Sequence, residues 1–212
     1  MSKYLLLIIS LLAFGSGVFA WKYQSPSRHD VKALWYEAPR VMQPFLLEQS
    51  GGGTFTEKSL EGKWSLIFLG FTSCPDVCPT TMSKLAGIYP AITEATSIES
   101  QIVMVSVDPR RDSVEKLSQY VQYFNPKFIG ATGKHKTLYP FTRQLGLMYV
   151  MVDDEHAEGS YSVDHSASIV LINPKAEVEA IFKPAFIKGK IPTVDEQQLV
   201  KDFTIISQAW SA

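Results

Sequence analysis

Two thiols and four imidazoles are the side chains of this sequence best suited to chemistry. Both cysteines of the 212-residue chain, Cys74 and Cys78, fall in the stretch FLGFTSCPDVCPTTM, Phe68 to Met82. Their C-x-x-x-C spacing is one residue wider than a redox C-x-x-C. If the segment coils helically, positions i and i+4 share one face with Cβ atoms about 5–6 Å apart. Two sulfurs at that separation can grip one ion, and a small backbone adjustment brings them within disulfide range. The apolar run WSLIFLGF ends just before them, and Pro75 and Pro79 break the chain immediately after each cysteine. That is the pattern of a strand ending where a helix begins, at the end of an open α/β sheet where sites form. Unpaired N–H groups and the helix dipole there favour a thiolate over a thiol. The bland alternative is a pair of inert buried hydrophobes.

Two sulfurs do not complete a good site, and a third donor has to come from the histidines. His29 lies in a polar N-terminal stretch, His135 sits between lysines in TGKHKT and reads as a solvated residue, and His156 lies in the acidic DDEHAEG. His165 differs, because it stands beside Asp164 immediately before the apolar run ASIVLINP. Its position allows two readings, an imidazole brought to the sulfurs or a satisfied structural histidine. Two thiolates and one imidazole suit Cu(I) in a trigonal site and can also hold Cu(II). Zn(II) competes, but a structural zinc site normally takes four protein ligands. A three-ligand, partly exposed site also suits handing metal on, since an incoming thiol, imidazole or thioether can occupy the open position.

The elements that must position these residues follow from periodicity. WSLIFLGF, Trp64 to Phe71, and QIVMVSV, Gln101 to Val107, are short continuous apolar runs and read as strands buried on both faces. Between them a helix is expected from about Thr80, with Pro90 as a candidate kink. A second helix, Ser113 to Phe124, has Asp112 as its candidate cap. KFIGAT reads as a short strand, Lys136 to Leu145 as a helix and GLMYVMV as a strand, followed by a polar loop DDEHAEGSYSVDHS. ASIVLINP and EVEAIFKP are strands joined by a turn at Asn173 to Ala176, and Val194 to Trp210 is a last amphipathic helix. A hairpin around Gly51-Gly52-Gly53 precedes them all. This order implies an α/β fold with a mixed central sheet flanked by helices. It is the layout of a thioredoxin-like fold, with an added N-terminal hairpin and an insertion around Phe128 to Lys136. In that layout the turn entering the strand after His165 lies next to the cysteine turn.

Composition bounds the rest. The net charge is −1 and no long Lys/Arg run exists, so nucleic acid is set aside as a partner. Tyr4 to Trp21 carries no charge, a length at the border between a secretory segment and a membrane span. Val18-Phe19-Ala20 offers a cleavage site, whereas Trp21, Lys22 and Tyr23 look like an interfacial anchor. In either case the rest of the chain is exported, where a disulfide can persist. The expected organisation is a signal-anchor over residues 1–23, a tether over 24–40 and one domain over 41–212.

Three blocks together, FLGFTSCPDVCPTTM, VSVDPRRDSVEKLSQYVQYFNPKFIGATG and YSVDHSASIVLINP, resemble the Sco/SenC family of membrane-tethered copper proteins, over roughly Pro44 to Pro184. The resemblance implies assembly of the dinuclear copper centre of cytochrome c oxidase, with a copper-accepting oxidase subunit as partner. Other copper chaperones or thiol reductants are further partners to expect. It places the copper ligands on Cys74, Cys78 and His165, and it implies a thioredoxin-like domain on the non-cytoplasmic face, the periplasm in a bacterium, held by one N-terminal helix. Asp76 and Asp108-Pro109 also match family positions. Asp76, and Asp164 beside His165, could support the ligands or orient a partner; Asp76 could equally stabilise its turn, and Asp108 reads as structural. EQSGGGT departs from the family, which usually carries an Asp and a single Gly there, and this bears only on the hairpin. The resemblance leaves two functions in play: a copper metallochaperone, and a thiol-disulfide oxidoreductase using a redox-active Cys74–Cys78 disulfide. A peroxiredoxin would need Thr three residues before its reactive Cys, where Phe71 stands.

Overall fold

Seven consecutive buried residues in each of two segments determine the centre of the molecule: β4 (Trp64–Gly70) and β5 (Ser100–Ser106) are buried along their whole length. They pair in parallel, from Trp64 opposite Ser100 to Gly70 opposite Ser106. A computed structural model describes residues 28–153 and 161–210, and those from Val31 onward form one compact unit. The signal-anchor of residues 1–23, its candidate cleavage site at Ala20, the start of the tether and His156 lie outside the described residues. Among the described residues no helix is long and apolar enough to cross a membrane.

Around the central pair the sheet is mixed, as expected. β6 (Ile129–Thr132) continues it in parallel beside β5, and β9 (Ile169–Ile172) and β10 (Glu177–Phe182) continue it antiparallel beyond β4. β1 (Leu34–Val41) closes one edge against β10, and the hairpin β2 (Leu47–Gln49) and β3 (Thr54–Phe55) closes the other against β6. The hairpin turn needs its three glycines, since Gly51, Gly52 and Gly53 have φ of 83°, 98° and 92°, a region L side chains rarely enter. Two further strands, β7 (Tyr149–Asp153) and β8 (Tyr161–His165), form a separate antiparallel ribbon.

Four α-helices complete the unit: α1 (Val77–Glu94), α2 (Val114–Phe124), α3 (His135–Gln144) and α4 (Glu196–Trp210). Alternation along β4 and β5 divides the interior into two apolar clusters. Ile67, Leu69, Val103 and Val105 join Phe141 of α3 in one, and Trp64, Leu66, Ile102 and Met104 join residues of α1, α2 and α4 in the other. Trp64 meets Phe203 and Trp210 of α4 edge-on, each at 5.7 Å. The buried carboxylate of Asp202 accepts hydrogen bonds from the backbone N–H groups of Lys32 and Ala33, which ties the lead-in to β1 onto α4.

Several expectations need correction. Residues 34–40, assigned to the tether, belong to β1; an edge strand pairs on one side only, so none of its residues is buried and its apolar side chains do not alternate, and Pro39 sits within the irregular register between Trp35 and Arg40. The strand expected in KFIGAT is β6, which lies within the Phe128 to Lys136 segment. The expected loop ending at His165 contains β8, in which Val163 alone is buried, so its apolar signal is weak. α1 starts at Val77 rather than Thr80, because a proline in the first turn forfeits only an N–H that had no intrahelical partner. The cap of α2 is Ser113, whose Oγ accepts from the Lys116 N–H at 3.2 Å, and Asp112 is employed elsewhere.

Candidate metal centre

β4 delivers the chain to the site and α1 receives it. After Gly70 and the buried Phe71, the chain turns through Cys74, whose N–H donates to the Phe71 carbonyl at 3.2 Å. Cys78 is the second residue of α1 and fully buried. Its backbone N–H points at the Cys74 Sγ, 3.4 Å away, so one of the orphan donors of the helix N-terminus is aimed at the sulfur. The base of the turn is held by Asp112, which accepts hydrogen bonds from the Thr72 N–H at 2.8 Å, from the Thr72 hydroxyl and from Ser106 Oγ at 2.6 Å. Gly70 is needed for packing, because a Cβ there would lie 3.1 Å from Cys78 Sγ and 2.8 Å from Met104 Cε.

His165 arrives from the ribbon, as the last residue of β8 and opposite Tyr149 in register. Its Nε2 lies 3.5 Å from Cys78 Sγ, while Nδ1 lies 3.2 Å from the Ser166 carbonyl. A carbonyl only accepts, so Nδ1 donates to it, and Nε2 is the ring nitrogen that faces the sulfurs. The Phe71 ring stands edge-on to the imidazole at 5.9 Å and limits its tilt.

The ligand atoms of Cys74, Cys78 and His165 lie within 4.8 Å of one another, and among the described residues no other group of three or more His, Cys, Asp or Glu side chains is so arranged. Cys74 and His165 border a cavity of about 520 Å³ that also touches Phe71, Arg111 and Tyr161, with Cys78 buried behind them. Two sulfurs and one nitrogen form a soft donor set with an open side.

The two thiols share one proton. The hydrogen bond from the Cys78 thiol does most to lower the Cys74 pKa, to about 4; burial opposes it, and His165 and the N–H groups of Cys78 and Asp76 assist. Cys78 moves the other way, since its proton is held by Cys74 and burial and the neighbouring thiolate both penalise a second charge. Cys74 is therefore the thiolate and Cys78 the thiol in the reduced metal-free protein.

The remaining expected residues divide. Asp76 and Asp164 line the cavity with exposed side chains and neither joins the three-donor cluster; what Asp76 gives Cys74 is its backbone N–H. His135 is not simply solvated, because its Nδ1 bonds the Tyr149 hydroxyl at 2.9 Å. Asp108 is structural, as read: fully buried, it pairs with Arg111 and accepts the Tyr161 hydroxyl at 2.6 Å. Arg111, Tyr161 and Phe71 were not singled out as part of the site by sequence reasoning. Tyr161, four residues before His165 and on the same face of β8, was the available signal.

These features define a class: an α/β domain of thioredoxin-like layout with a soft three-donor centre at the strand-to-helix turn. A family model described as SCO1/SenC matches residues 35–194, and the chain belongs to that family. It is 39% identical over 132 residues to the mitochondrial Protein SCO1 homolog 1 of Arabidopsis thaliana, covering 62% of this chain and 39% of that protein. It is 34% identical over 154 residues to the human mitochondrial Protein SCO1 homolog, covering 72% of this chain and 51% of that one. The match thus spans about half or less of these two relatives. Among solved structures, Arabidopsis thaliana ScoI with copper bound shares 32% identity at a TM-score of 0.66, over 80% of this chain and 99% of that one. Yeast Sco1 with copper bound shares 30% at 0.64, over 82% and 91%.

Proposed function

We propose that this protein is a copper metallochaperone in which Cys74, Cys78 and His165 bind the ion. The observation that carries the reading is the convergence of two sulfurs and one imidazole nitrogen within 4.8 Å beside an open cavity. Related proteins solved with copper bound support it. Cu(I) is the form best matched to three soft donors, and Cu(II) can be held by the same set. The recipient is the copper-accepting subunit of cytochrome c oxidase, during assembly of its dinuclear centre. An incoming donor enters from the cavity, takes the open position, and displaces the protein ligands one at a time. Residues 1–23 anchor the domain on the non-cytoplasmic side of a membrane.

The test is a titration of the full-length reduced chain in detergent, without oxygen, with Cu(I) against a competing chelator. Wild type should bind one ion tightly, and Cys74→Ser, Cys78→Ser and His165→Ala should each lose at least tenfold in affinity, about 1.4 kcal/mol. Equal affinity in all four proteins would sink the proposal.

A second reading is favoured by the thiolate of Cys74 lying against the thiol of Cys78. In a thiol-disulfide oxidoreductase, Cys74 attacks a target disulfide and one target thiolate leaves. Cys78 then gives up its proton and attacks Cys74 Sγ, which releases the second target thiolate and leaves a Cys74–Cys78 disulfide. A partner thiol reductant must restore the pair. His165 discriminates, since exchange does not require it. If His165→Ala binds copper as wild type does while exchange stays fast, the reductase reading wins.

A further inference from the structure

His165 sits on a ribbon that does not belong to the main sheet. The ladder that fixes β4 and the cysteine turn therefore does not by itself fix the imidazole. Close to His165, Ser166 ties the ribbon to itself, with its N–H donating to the Met148 carbonyl at 2.9 Å. At Tyr161 the ribbon is tied to the scaffold. The Tyr161 hydroxyl donates to the buried Asp108 at 2.6 Å, and Arg111 Nη1 donates to the Tyr161 carbonyl at 3.3 Å. The Arg111 guanidinium, paired with Asp108, lies over the Tyr161 ring at 4.2 Å and over the Phe71 ring at 5.5 Å. The turn that carries Asp108 and Arg111 also carries Asp112, which holds Thr72 at the entry to the cysteine loop. One turn after β5 thus grips the sulfur-bearing loop with one carboxylate and the imidazole-bearing strand with the other.

We propose that Tyr161 and Arg111 are positioning residues that latch β8 onto this turn, and thereby set the distance from His165 to the two sulfurs. Tyr161 is four residues from His165 on one strand, so both side chains point to the same face. Phe71, between Arg111 and His165, transmits the placement through ring contacts at both ends. The proposal rests on the copper reading only for its affinity measurement.

Two measurements on the full-length chain test it. In the first, Cu(I) affinity is compared for wild type, Tyr161→Phe, His165→Ala and the double variant. Loss of the hydroxyl should weaken affinity roughly tenfold, as outer partners of a ligand do, and should change nothing further once His165 is gone. Equal weakening in both backgrounds, or none in wild type, overturns the latch. The second uses metal-free protein: the nuclear Overhauser contact between the Phe71 and His165 rings should disappear in Tyr161→Phe while the amide resonances of β4 and β5 hold their places. Its persistence overturns the latch whether or not copper binds. A wild type that binds no copper overturns the function and leaves this second measurement to decide. If Tyr161→Phe does not fold, Arg111→Lys decides, because it keeps a cation beside Asp108 and removes the planar group stacked on both rings; the same two losses are expected.

Discussion

At Cys74 the folded pKa of about 4 lies far below the ordinary thiol value, and at Cys78 it lies above it. Between pH 4 and the thiol range near 8.5, the folded pair holds one proton and the unfolded pair two. The reduced metal-free protein should therefore gain stability as pH rises through that window, and lose it above, where the unfolded chain sheds both protons and Cys78 still keeps one. Alkylation followed by peptide mass analysis checks the same point. Cys74 should be labelled at about pH 5–6, where only a thiolate reacts, with Cys78 spared; Cys78→Ala should move half-maximal labelling of Cys74 upward. Joint labelling of both residues only above about pH 8 would contradict a shared proton. These three donors were legible in the sequence because thiols and imidazoles are few and carry their chemistry with them. Tyr161 and Arg111 were not, since aromatic and basic residues are common and their meeting spans 50 residues.

Strand and helix contacts allow a matched pair of substitutions. A Cβ on Gly70 of β4 would press on Cys78 Sγ at 3.1 Å, whereas one on Gly130 of β6 would meet Leu117 Cγ of α2 at 2.5 Å, away from the sulfurs. Both Gly70→Ala and Gly130→Ala should lower stability by about 1–3 kcal/mol, the cost of overpacking, read from the urea midpoint. Only Gly70→Ala should also weaken copper binding. If Gly130→Ala weakens it as much, the close packing of Gly70 on Cys78 has no special role. At this scale the sequence was most readable where burial was complete, as in β4, β5 and β9. It was least readable at β1 and β8, which are paired on one side or stand apart from the sheet, so their apolar pattern is thin. The capping error at Asp112 has a similar source: a buried carboxylate that accepts from Thr72 and Ser106 looks, in sequence, like any acidic residue before a helix.

Across the whole molecule the two apolar clusters separate stability from the site. Phe203 packs on Trp64 in one cluster, and Cys78 is buried in the other. Phe203→Ala should cost about 3–5 kcal/mol and lower Tm by about 2–4 °C per kcal/mol, with the Cu(I) affinity of the folded fraction unchanged in a chelator competition. A parallel loss of affinity would show that the site is not insulated from the helix-covered face. The sequence by itself determined the mixed α/β order, the strand-to-helix turn that carries Cys74 and Cys78, and the candidacy of His165. It could do so because burial periodicity, prolines and rare donor residues are local properties. Only the tertiary structure decided that Cys74 rather than Cys78 is the thiolate, that β1 belongs to the sheet, and that His165 comes in on a separate ribbon tied to the turn after β5. Each of those depends on which residue distant in sequence supplies a hydrogen bond, a buried charge or a strand partner, and that pairing exists only once the chain has folded.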